Sequence, residues 1–161
     1  MNWTNANYVV DDDKSRLRIP EIRSLMQQGE WCADYSEEII ERLIQNSFWL
    51  GLFLNGCLVG LARVVTDKET VSLITDFIID EPHRGNGLGS WLMKCLIAHP
   101  ELHGTSMSLG TQDADLFFNK FGFERVGSFM HRFQRPDPRP RRSSGSVGFP
   151  PKSGSLTGHE K

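Results

Sequence analysis

Apolar residues recur at Leu88, Trp91, Leu92, Cys95 and Leu96, a spacing of i, i+3, i+4, i+7 and i+8 that lines one face of a helix. That helix should end near His99-Pro100, because the residue before a proline resists helical geometry. Just upstream, 70–79 is dense in β-branched and aromatic residues and predicts a strand. Two more apolar runs, 48–54 and 57–65, are joined by Asn55-Gly56, a strong hairpin signal. Ile22, Leu25 and Met26 mark the inner face of a helix that Pro20 opens and Gly29 closes. Ile39, Ile40, Leu43 and Ile44 predict a second helix after 34–36. Tyr8 to Val10 and Ser106 to Leu109 read as short strands, 114–120 as a short helix, and 123–133 as one or two closing strands. The order β-α-α-β-β-β-α-β-α-β predicts an α/β domain with a mixed sheet covered by helices.

The chain of 161 residues has room for one domain of ordinary size. Its hydrophobic content of 39% and charged content of 24% are those of a globular protein, and a net charge of −2 gives no reason to expect nucleic acid or a membrane surface. Composition changes after Arg135. Residues 136–161 hold 5 Pro, 4 Gly and 5 Ser and carry a net charge of +3, leaving −5 on 1–135. The expectation is a folded domain over 1–135 and a disordered tail over 136–161. Cys32, Cys57 and Cys95 are odd in number and set among apolar residues, which fits reduced structural thiols. No signal segment opens the chain and no run approaches a membrane span, so a cytoplasmic location is expected.

Between the 70–79 strand and the helix from Leu88 stands Arg84-Gly85-Asn86-Gly87-Leu88-Gly89. Three glycines leave backbone N–H groups uncovered at a strand-to-helix turn, and the positive end of the helix dipole points into the same space. That arrangement suits a diphosphate. A dinucleotide fingerprint would need its third glycine at Ser90, and a P-loop would need a Lys directly after the glycines. Neither is present.

What the residues do match is R-x-x-G-x-G, as Arg84, Gly87 and Gly89, and here the chain resembles the GNAT (Gcn5-related N-acetyltransferase) superfamily. Phe118-Asn119-Lys120-Phe121-Gly122-Phe123 is similar to that family's late L-Y-x-K-x-G-F motif. The resemblance extends over nearly all of 1–135 and implies a mixed, mostly antiparallel sheet flanked by helices. It also implies acetyl-CoA as cosubstrate, no metal, and an amine acceptor that is a small molecule or a peptide, with homodimerisation left open. The cofactor-binding residues it implies are Phe77, Ile78 and Ile79 on the strand, Arg84, Gly85, Asn86, Gly87, Leu88, Gly89 and Ser90 at the turn, and Phe118 near the sulfur. Two departures stand out. The family's usual tyrosine, which protonates the leaving thiolate, is replaced by Phe118, and Thr111-Gln112-Asp113 falls where relatives carry T-x-N.

Acetyl transfer to an amine needs a polarised thioester carbonyl and an uncharged nucleophile; the thiol, with a pKa near ~8.5, leaves with least help. A backbone N–H between Phe77 and Ile79 would serve the carbonyl. For the base, Asp76 sits in an apolar strand, where simple alternation puts it on one face with Ile74 and Ile78 and where an unpaired carboxylate would suit the role. The competing reading pairs Asp76 with Arg63. Asp80, Glu81 and His83 at the strand exit, and His103 farther on, read more simply as loop residues. Trp31, Tyr35 and Trp49 are candidates for an acceptor pocket, or plain core. Loss of the tyrosine also keeps open an acyl-CoA-binding module or sensor with little catalytic activity.

Overall fold

The computed structural model describes residues 1–29 and 35–127. In chain order the elements are β1 (Asn2–Asn5), β2 (Tyr8–Asp11), α1 (Ile19–Met26), α2 (Glu37–Asn46), β3 (Phe48–Leu54), β4 (Cys57–Thr66), β5 (Val71–Ile79), α3 (Leu88–Ile97), β6 (Ser106–Leu109) and α4 (Asp115–Phe118). They form one α/β domain whose sheet has 6 strands in sequence order. Neighbours are antiparallel except β5 and β6, which run parallel with α3 as their crossover.

The helices cover both faces of the sheet and so make two cores. Leu88, Leu92, Met93, Cys95 and Leu96 of α3 pack on one face with Val10, Leu50, Leu52, Ala62, Val64 and Ile74. Ile22, Leu25 and Met26 of α1 and Ile40 of α2 pack on the other with Trp49, Phe53, Leu61 and Ile78. Because β3 and β4 are buried on both sides, their sequences run apolar without alternation, as in 48–54. Truncating one of the fully buried residues, such as Leu50 or Leu92, would cost ~2–5 kcal/mol. Cys95 lies inside the first core, where burial pushes its thiol pKa up to about 11, whereas Cys57 is exposed in the hairpin. Cys32 lies outside the described residues.

Three features differ from the sequence reading. A first strand, β1, precedes Tyr8 and pairs with β2 through a tight turn in which Ala6 takes φ 52. Its sequence, Asn-Trp-Thr-Asn, is mostly exposed and carries little hydrophobic signal, so the pairing itself holds it. On α3, Trp91 is only half-buried while Met93 is fully buried, since the helix sinks more deeply into the sheet than one stripe implies. Residues 123–127 form no strand; the rest of the expected 123–133 strands, and the expected tail over 136–161, lie outside the described residues. Among the described residues no helix is long and apolar enough to cross a membrane.

Candidate active site

The site is built where β5 changes partners. Its pairing with β6 ends at Ile74 opposite Leu109, while its pairing with β4 continues to Ile79 opposite Gly60. Beyond Ile74 the two parallel strands therefore part and leave one edge of β5 facing a gap. Asp80 N–H donates to Val59 O at 2.9 Å on the β4 side. Antiparallel alternation then turns the backbone groups of Phe77 and Ile79 into the gap and those of Ile78 toward β4. Arg84 Nε, donating to Ile79 O at 2.8 Å, marks that open edge.

The gap is the wall of a cleft of about 570 Å³. Arg84, Gly85, Gly87, Gly89 and Ser90 of the turn line it together with Gly110, Thr111, Asp76, Phe117 and Phe118, and Phe117 stands next to Gly89. Gly85 and Gly87 take φ 78 and 76, left-handed geometry that side chains other than glycine adopt at a cost, and Gly87 starts α3. A Cβ at either position would meet nothing within 4 Å, so the space over the turn is open. At Gly89 an added Cβ would make only ordinary contacts at 3.6 Å with Ile79 and Phe117. Packing therefore does not demand glycine there.

Phe77, Phe117 and Phe118 form an aromatic corner, with ring centroids 5.8, 6.1 and 5.0 Å apart in pairs. Asp76 lines the same cleft and precedes Phe77 on β5, with its side chain on the α1–α2 face. Its Oδ2 accepts from Arg63 Nε at 2.5 Å and from Thr75 Oγ1 at 3.2 Å, and Arg63 Nη1 donates to Ser47 Oγ at 3.1 Å. The Arg63 guanidinium carbon also sits 5.9 Å from the centroid of the Trp49 ring.

The family model for the acetyltransferase (GNAT) family matches residues 16–123. The chain belongs to this family. A protein of Gibberella zeae provisionally named acetyltransferase FG08082 is 27% identical over 152 residues, covering 80% of this chain and 85% of its own. A crystal structure from Xanthomonas campestris, provisionally described as a GNAT acetyltransferase, is 33% identical with a TM-score of 0.73, covering 79% of this chain and 93% of that one. A GNAT acetyltransferase from Elizabethkingia anophelis, solved with acetyl-CoA bound, shares the fold at a TM-score of 0.57 and 17% identity, over 77% of this chain and 80% of that one.

Within this GNAT domain most of the residues singled out from sequence gather on the cleft: Asp76, Phe77, Ile78, Ile79, Arg84, Gly85, Gly87, Gly89, Ser90 and Phe118 line it. Asn86 is exposed on the turn, and its Nδ2 donates to His83 O at 3.5 Å. Leu88 is buried in the α3 core and does not line the cleft. Ile78 likewise sends its side chain into the α1–α2 core.

Of the two readings of Asp76, the structure bears out its pairing with Arg63 and not an unpaired carboxylate. Nor does Asp76 share a face with Ile74: Arg63 pairs with Asp76 while Val64 pairs with Ile74, so Thr75 bulges and the alternation reverses. Ile74 consequently faces α3, and Ile78 faces α1.

Of the acceptor-pocket aromatics, Trp49 is core, 1% exposed, with Nε1 donating to Leu43 O at 3.0 Å. Tyr35 packs half-buried against the same core, and Trp31 lies outside the described residues. His83 lines the cleft, with Nδ1 3.4 Å from Tyr8 Oη, whereas His103 sits in the loop after α3. Phe117 and Gly110 were not picked out from sequence. Phe117 falls one residue before the tyrosine position of the late motif, and Gly110 directly follows a predicted strand. Only the parting of β5 and β6 makes either relevant.

Proposed function

We propose that this protein is an acetyl-CoA-dependent N-acetyltransferase that moves an acetyl group to an amine, a small molecule or a peptide, by direct attack. One observation supports the reading: a single cleft joins a glycine turn at a helix N-terminus, a strand edge without a ladder partner among the described residues, and a carboxylate. The acetyl-CoA bound to the Elizabethkingia relative supports the choice of ligand.

The N–H groups of the Arg84–Gly89 turn and the N-terminus of α3 would hold the diphosphate, with Arg84 adding charge beside it. The backbone edge of β5 would offer the N–H and C=O of Phe77 and the N–H of Ile79 to the amide-rich arm, in the manner of an added strand, while Ile79 O is held by Arg84. One such N–H, held rigidly in the strand, would polarise the acyl carbonyl. The thioester supplies an activated acyl group whose sulfur leaves as a thiolate without strong assistance.

Asp76, tied to Arg63 and Thr75, would accept a hydrogen bond from the incoming amine and orient its lone pair toward the carbonyl carbon. The aromatic corner of Phe77, Phe117 and Phe118 would keep water from the thioester. As the C–N bond forms and the C–S bond breaks, the amine's proton leaves to solvent and the thiolate takes one from it. Phe118 has no proton to give, and that absence favours the second reading, an acyl-CoA-binding module with little turnover. The two separate on thiol release from acetyl-CoA with a panel of amines. Release with at least one acceptor supports the enzyme, and tight binding with no release for any amine supports the sensor.

A further inference from the structure

Gln28 follows α1, is half-buried, and does not line the cleft. Its side chain nevertheless reaches 52 to 56 residues ahead, to the segment joining β5 to the glycine turn. Nε2 donates to Asp80 Oδ1 at 2.7 Å. Oε1 accepts from the Glu81 backbone N–H at 3.0 Å and from Arg84 Nη2 at 3.3 Å. These partners define the orientation of the amide: reversed, its oxygen would face the Asp80 carboxylate and its nitrogen the Glu81 N–H. Arg84 is thereby gripped twice, through Nη2 by Gln28 and through Nε by Ile79 O. The neighbouring Gly29 does line the cleft, so Gln28 also links the end of α1 to the turn.

We propose that Gln28 is a positioning residue for the diphosphate-binding turn: it fixes the exit of β5 and the Arg84 guanidinium before the ligand arrives. The proposal rests on the acetyl-CoA reading of the cleft. Holding donors in their binding geometry lowers the ordering cost of association, so the effect belongs in cofactor affinity and not in the acyl-transfer step. Three hydrogen bonds are involved, one of them to a charged guanidinium and one to a carboxylate.

The test compares the full chain with Gln28→Leu and with the double substitution Gln28→Glu, Asp80→Asn. The double substitution exchanges donor and acceptor between the two side chains and keeps an oxygen for Glu81 N–H and Arg84. Acetyl-CoA affinity is read by calorimetry, and kcat and KM with one good amine. Gln28→Leu should weaken acetyl-CoA binding and raise its KM about tenfold, leaving kcat and the amine KM unchanged. The exchange pair should recover affinity to within about threefold of wild type. Unchanged affinity in Gln28→Leu overturns the proposal, as does a kcat loss equal to the KM change. If Gln28→Leu fails to fold, the exchange pair decides, and a tenfold loss there overturns the proposal. A wild type that does not bind acetyl-CoA overturns the reading of the cleft and this proposal together; a wild type that binds it beside an unaffected Gln28→Leu overturns this proposal alone.

Discussion

Arg63 on β4 and Asp76 on β5 face each other at 2.5 Å, at the position where the register of the two strands slips by one residue. The slip turns Asp76 onto the α1–α2 face and bulges Thr75, whose hydroxyl donates both to Asp76 and to Arg63 O. A charged pair with both side chains about one-tenth exposed is costly to form, and breaking it leaves a buried charge uncompensated.

Asp76→Asn keeps the shape but removes the charge. We expect a lower melting temperature, from a loss of up to ~3–5 kcal/mol, because Arg63 is left without its counter-ion. If Asp76 orients the amine, kcat should also fall about 10²-fold, most visibly below the acceptor's own pKa, with acetyl-CoA affinity intact. Melting curves, calorimetry and a pH–rate profile measure the three. A melting loss with an unchanged rate would reduce Asp76 to a structural partner of Arg63.

Gly89→Ala separates packing from binding. The added methyl finds ordinary contacts at 3.6 Å, and alanine is favoured over glycine in helical backbone, so the variant should melt at or above wild type. On the proposed reading acetyl-CoA affinity should fall, since the methyl would stand where the diphosphate is to meet the backbone. Gly87→Ala should instead destabilise by ~1–2 kcal/mol, because residue 87 needs φ 76. Equal affinity for acetyl-CoA in wild type and Gly89→Ala would remove the turn from the binding site.

Phe118→Tyr adds one hydroxyl beside Phe77 and Phe117 with little change in volume, and the fold should accept it. A positioned acid contributes ~10²-fold or more where proton transfer limits the rate. We expect a smaller gain in kcat because a thiolate needs that help least, and near-neutrality if amine attack or product release is slow. The measurement is kcat against pH for both proteins with one amine. A silent wild type switched on by the substitution would favour the sensor.

Asp67 governs the turn between β4 and β5. The Thr70 hydroxyl, with the N–H groups of Val71, Thr70 and Glu69, holds its carboxyl well below the usual carboxylate range. A depressed folded pKa adds stability that is present above the ordinary value of 3.8 and fades as pH falls below it. Asp67→Ala should therefore lower the melting temperature at pH 7 and narrow the gap to wild type as pH drops from about 4 toward 2. A gap that stays constant over that range would mean the charge is not what stabilises the turn.

Much of the architecture was legible in the chain because it is locally encoded. Asn55-Gly56 specifies a hairpin by backbone conformation, Pro20 opens a helix, and the 88–96 stripe gives α3 its inward face. The strand, the glycine turn and the helix after it were legible for the same reason, since uncovered N–H groups and a helix dipole depend only on neighbours in sequence. Tertiary structure decided what depends on partners far along the chain. The bulge at Thr75 arises from how β4 and β5 pair, and it undoes the simple alternation that put Asp76 with Ile74. The cleft exists because β6 stops pairing at Ile74 while β4 continues to Ile79, a difference of strand length between two separate ladders. Gln28 carries no signal in its own neighbourhood; its part comes from partners 52 to 56 residues away, brought to it by packing α1 on the sheet.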